Sequence, residues 1–170
     1  MGYSIYIGNG ELKPIDEEYE HTTQYCRIIK GKEVFYDIEV DEVHHLDAPV
    51  FANDESSNNS NGRHPSYSAW SDFCDETGLS DLFFNNQVGL MREHPGFHML
   101  TSNHGRVISD ALTQWKDSHP NAIPGFEVFS WGDDDVAEVG YDPTLARLIW
   151  LEYWATWALE NCENAGIRNY

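Results

Sequence analysis

The chain predicts an α+β fold: a small antiparallel sheet from its N-terminal half packed against a C-terminal helical layer with one long buried helix. Three observations carry this expectation. Before residue 43 apolar residues alternate with period two, as in half-buried strands, and after residue 66 they recur at helical spacing. Between the two regimes, residues 52–63 are nearly all Asn, Ser, Asp and Gly. That composition buries no apolar area and reads as an exposed polar loop. The sequence contains no internal repeat and no Pro-rich linker, so residues 1–170 read as a single domain. Its 41% hydrophobic and 14% aromatic content is enough to build a core.

Tyr3, Ile5 and Ile7 alternate with Ser4 and Tyr6 in a first strand, and Gly8-Asn9-Gly10 supplies a turn. Tyr25 to Ile29, then Gly31, then Glu33 to Val43 read as a hairpin, with Val34, Tyr36, Ile38 and Val40 on one face. Pro65-Ser66 opens a helix carrying Tyr67, Trp70, Phe73 and Cys74, and Gly78 is placed to stop it. Ser80 caps a short turn with Leu82, Phe83 and Phe84, and Pro95-Gly96 breaks the chain again. Val107, Ile108, Ala111, Leu112 and Trp115 mark the apolar face of a helix entered through Thr101 or Ser102 and ended before Pro120. Ile123 to Phe129 reads as a short strand, followed by an acidic turn at Asp133-Asp134-Asp135. Asp142-Pro143 is the strongest helix start in the chain, because Asp caps free N–H groups and proline needs none at the first position. The helix it opens runs to about Cys162, with apolar residues on most of its circumference.

Several classes of protein are disfavoured by the same residues. No basic region precedes the apolar residues of the first strand, which Gly8 soon interrupts, so no signal peptide is expected and the cytoplasm is the expected compartment. Leu145 to Leu159 is broken by Arg147, Glu152 and Thr156, too short and too charged for a membrane span. Cys26, Cys74 and Cys162 form no C-x-x-C pair, which leaves neither a disulfide framework nor a cysteine zinc site. No Walker loop, G-x-G-x-x-G fingerprint, G-x-S-x-G elbow or H-E-x-x-H helix is present, and no cofactor is expected.

Metal-ligand chemistry is confined to His44, His45 and Asp47 and to His94, His98 and His104, an alternative set for a metal-assisted hydrolase or a small-molecule pocket with a tryptophan wall. Cys74, on an amphipathic helix, reads as a core thiol. Glu152 and Glu160 form an acid–base pair only if a cleft faces both. Trp150, Tyr153, Trp154 and Trp157 read first as core and second as a stacking surface.

Charge is the dominant signal. Lys and Arg number 10 against 29 Asp and Glu, a formal net charge of −19, and the excess is spread through the chain. Direct binding to nucleic acid or to an anionic membrane is disfavoured, whereas a folded surface of this sign steers basic partners and competes with nucleic acid for them. Asp16, Glu17, Glu18, Asp133, Asp134 and Asp135 are the first choices for partner contacts.

At Tyr3 to Asn9, Arg63 to Trp70 (RHPSYSAW), Gly89 to Gly96 (GLMREHPG) and Arg147 to Asn169, the sequence resembles small uncharacterised acidic proteins encoded by tailed bacteriophages. The resemblance brings no catalytic or cofactor residue with it. It implies a cytoplasmic phage protein that binds host machinery or a defence system. The expectation is therefore a non-enzymatic inhibitor of a basic, nucleic-acid-handling or defence protein, a nuclease for example, acting through a nucleic-acid-mimicking acidic surface.

Overall fold

The computed structural model describes residues 1–15, 25–54, 56, 58–127 and 140–170. Asp16, Glu17, Glu18, Asp133, Asp134 and Asp135 lie outside the described residues.

The fold is α+β, as its patterning predicts, but its sheet draws on both halves of the chain. Strand β1 (Ile5–Pro14) is followed by the hairpin β2 (Tyr25–Ile29) and β3 (Lys32–Val40), and by the short β4 (Gly62–Arg63). Helices α1 (Tyr67–Thr77) and α2 (Ser80–Phe84) precede β5 (Gly96–Met99) and α3 (Ser102–Ser118). A two-residue parallel pair, β6 (Ile123–Pro124) with β7 (Tyr141–Asp142), leads into α4 (Pro143–Asn161), and β8 (Ala165–Asn169) follows. The main sheet runs β2-β3-β1-β8-β5, with β4 also on β1, and every pairing in it is antiparallel.

Two strands of this sheet break the pattern by which strands were recognised. Strand β8 lies between β1 and β5 and is buried at all five positions, so Ala165-Gly166-Ile167-Arg168-Asn169 shows no alternation. Strand β5 begins at the Pro95-Gly96 break expected to interrupt the chain. The Ile123–Phe129 strand shrinks to two residues among those described.

The first strand continues through Gly8-Asn9-Gly10, where a turn was expected, because it changes partners there. Residues 5–9 pair with β8 and residues 10–14 with β3. Gly10 and Gly166 make room for Phe97, whose ring atoms would stand 2.4 Å and 2.3 Å from an added Cβ at these positions. The change of partner carries β3 across to β8, so that Asp37 reaches Arg168 and Glu39 reaches Tyr170.

The helix caps follow the sequence rules. The Ser66 hydroxyl accepts the Ala69 N–H at 3.2 Å, and Asp142 accepts the Leu145 N–H at 2.9 Å with Pro143 in the first turn of α4. Helix α4 buries Leu148, Trp150, Leu151, Trp154, Ala155 and Ala158 against Ile5, Ile7 and Ile167 of the sheet and Trp70, Phe73 and Phe83 of α1 and α2. A fully buried tryptophan removes about 150–250 Å² from water, worth about 4–6 kcal/mol before side-chain entropy is subtracted. Among the described residues no helix is long and apolar enough to cross a membrane.

The polar stretch 52–63 is not exposed throughout, as its composition led us to expect. Ser60, Asn61 and Arg63 are buried. Asn61 is accommodated because its Oδ1 accepts the Val43 N–H at 2.8 Å while its Nδ2 donates to the carbonyls of Ile7 and Asp41 at 3.0 Å and 2.9 Å. Trp150 Nε1–H donates to the Ser60 carbonyl at 2.9 Å, tying this stretch to α4.

Candidate functional site

The site begins with where the cations go. Arg63, 1% exposed, donates to Asp54 at 2.8 Å and to Ser56 at 3.1 Å, with its guanidinium 5.1 Å from the Trp150 ring centre. Arg63 and Arg147 each lie 5.4 Å from the ring centre of Phe126. Burial pushes both guanidiniums below their usual range, and Asp54 opposes the shift in each. Arg168, wholly buried, donates to Asp37 at 2.6 Å and stacks 4.5 Å from the Tyr170 ring centre. The Tyr170 hydroxyl donates to Glu39.

Two buried Arg–Asp pairs cancel in charge, so the formal −19 of the chain resides entirely outside them. Arg63 is the only lysine or arginine from residue 33 to residue 91. Because it is interior, this segment presents Asp41, Glu42, Asp47, Asp72, Asp75, Glu76 and Asp81 to solvent with no exposed lysine or arginine of its own among the described residues. Lys13, on β1, reaches one of them, Asp41.

The loop after β3 gives this acidic segment a fixed shape. Ala48 is buried, and its N–H donates to the His45 carbonyl at 3.1 Å. His45 N–H donates to the Asn59 carbonyl at 3.2 Å, and the His45 ring sits 4.6 Å from Trp154 and 4.8 Å from Trp157. Tyr153 bridges the loop, its hydroxyl 3.2 Å from His45 Nδ1 and donating to Asp47 at 3.3 Å. Between these anchors Leu46 is fully exposed, and Val50 is 61% exposed. A rigid loop showing an apolar side chain beside carboxylates loses little entropy on binding.

The alternative histidine set is not brought together. His44 turns to Asn59 and Glu42, away from the bonds of His45. His45 itself covers Trp154 and Trp157, where a ligand ring would stack. His98 is buried on β5, and His104 closes the capping box of α3 with Thr101. Among the described residues no group of three or more His, Cys, Asp or Glu could hold a metal ion. Cys74 is buried, and burial pushes its thiol far up. Glu152 accepts from Ser109 at 3.2 Å and from Thr156 at 3.4 Å, while Glu160 is exposed. Trp150 and Trp154 are core residues, and Tyr153 and Trp157 are half-buried.

Sequence reading missed one constellation. His94 Nδ1 lies 2.7 Å from Asn169 Oδ1, and His94 Nε2 lies 3.2 Å from the Tyr67 hydroxyl. Tyr67 opens α1, His94 lies in the turn before β5, and only the unexpected strand β8 brings Asn169 to the histidine. Compared with family models, with curated proteins and with solved structures, the chain matches none.

Proposed function

We propose that the chain is a non-enzymatic, phage-type binding protein that engages a basic host protein, a nuclease or another nucleic-acid-handling or defence factor, and inhibits it by occupying the surface where nucleic acid would lie. The observation that carries the reading is the segregation of charge. Arg63 and Arg168 are drawn into the interior against Asp54 and Asp37, and among the described residues the segment 33–91 shows solvent only carboxylates as its fully charged groups. An array of this kind on a rigid scaffold resembles a phosphate backbone in sign and competes with it for lysines and arginines. Asp41, Glu42 and Asp47 join Asp16, Glu17, Glu18 and Asp133 to Asp135 as candidate contacts.

The test is a tagged pull-down from bacterial lysate, eluted stepwise with salt and read by mass spectrometry. The expected result is a basic nucleic-acid-handling protein released as salt rises, because screening shortens from about 10 Å at 0.1 M to about 3 Å at 1 M. The retained protein is then assayed for nucleic-acid binding, which the chain suppresses and which Asp41→Lys with Asp47→Lys restores. Absence of any stoichiometric partner at low salt overturns the proposal.

A further inference from the structure

A second site lies where α1, β8 and the turn before β5 meet. Asn169 Nδ2 donates to the carbonyls of Glu93 at 3.1 Å and Gly96 at 3.4 Å, which fixes the amide with Oδ1 as its acceptor. His94 Nδ1 therefore carries the proton in the 2.7 Å bond to that oxygen. With the Nδ1 proton so engaged, Nε2 faces the Tyr67 hydroxyl at 3.2 Å as an acceptor, and the phenol donates. Tyr3 clamps both rings edge-on, 4.6 Å from Tyr67 and 5.0 Å from His94, and its N–H donates to the Pro65 carbonyl at 2.9 Å. Tyr67 is 38% exposed and His94 is exposed, so an incoming molecule can reach the phenol.

A nucleophile bonded to a base, with the base oriented by a third group, is the arrangement that activates an oxygen for group transfer. We propose that Tyr67 is a nucleophilic phenol, His94 its general base and Asn169 the residue that positions the imidazole, in a site that takes an acyl group from a neutral activated ester or thioester. Charge selects that donor class. Glu93 is exposed beside His94, with Arg92 next to it and His98 Nε2 3.8 Å from its carboxylate, and α1 carries Asp72, Asp75 and Glu76. A polyanionic phosphoryl donor is repelled there, and a neutral acyl donor is not. The Tyr67 oxygen attacks the acyl carbonyl carbon as its proton passes to His94 Nε2. The C–O or C–S bond to the leaving group then breaks, and the departing alcohol or thiol takes that proton. The products are an acyl-tyrosine and a neutral leaving group, with no change of oxidation state.

The probe is p-nitrophenyl acetate, with nitrophenolate release followed by absorbance and the acetyl group located by tandem mass spectrometry. The expected result is one acetyl group, on Tyr67, in the wild type, and none there in Tyr67→Phe. His94→Gln slows acetylation about 100-fold, the lower range of general-base contributions. The wild-type rate follows an imidazole titration step that is missing from the His94→Gln profile. Asn169→Asp moves this step to higher pH, because a carboxylate facing Nδ1 favours the protonated ring. Circular dichroism confirms that each variant is folded, and His94→Asn stands in if His94→Gln is not. Acetylation spread over other tyrosines at the Tyr67 rate, or a rate unchanged by loss of His94, overturns the proposal. A step unmoved by Asn169→Asp removes Asn169 from the relay.

Discussion

Neutralising Asp37 isolates a buried cation. In Asp37→Asn the carboxylate 2.6 Å from Arg168 becomes an amide of the same size, while the guanidinium stays wholly buried. Two of its nitrogens, Nε and Nη1, have no hydrogen-bond partner among the described residues, so what remains is the Tyr170 ring and hydroxyl. Removing one partner of such a pair costs about 3–5 kcal/mol. Against a total stability of about 5–15 kcal/mol this is a large fraction, and the urea midpoint should fall by about a fifth or more with the slope unchanged. Replacing both partners, as Asp37→Leu with Arg168→Met, should recover most of the loss, since the desolvation of two charges disappears with them. A loss below about 1 kcal/mol for Asp37→Asn, the scale of an exposed ion pair, would refute the reasoning.

Tyr170 gives a pH test: burial, with the bond to Glu39, pushes its phenol from 10.0 to about 12, so its stabilising effect is present below pH 10 and lost between 10 and about 12. Tyr170→Phe should show a shallower loss over that window in alkaline denaturation curves. Gly166→Ala places a methyl group 2.3 Å from the Phe97 ring and 2.7 Å from the His98 carbonyl, and should destabilise by at least about 1–3 kcal/mol in urea melts. Leu46→Ser should change stability by less than about 0.5 kcal/mol, because the side chain is fully exposed, yet weaken the captured complex in a binding titration. Equal binding by this variant would take Leu46 out of the interface.

Strands that bury one face were legible in the sequence, and the strand that buries two was not. Alternation exposed β1 and β3, and caps with helical spacing located α1, α3 and α4. In β8 an arginine and an asparagine occupy interior positions that a hydrophobic pattern fills with apolar residues. Arg168 is paid for by Asp37, 131 residues away, and no local window contains both. Arg63 hid for a different reason: its partner Asp54 is only nine residues away, but both lie in a polar stretch that resembles a solvated loop. The acidic character was plain from composition. Its segregation became visible only when the arginines within it were found inside, and the Tyr67–His94–Asn169 relay depends on a strand that periodicity does not reveal.

The place of β8 constrains how the molecule is made. During synthesis, residues 5–9 leave the ribosome long before 165–169, and until those last residues appear β1 and β5 have no strand between them. Closing so long a loop is slow, and the waiting strand edges invite pairing with other chains. The hairpin β2–β3 on the second half of β1 gives the nascent chain a local structure to hold in the meantime. The acidic segment that follows, with its mutual repulsion, keeps neighbouring nascent chains apart while the sheet is still incomplete.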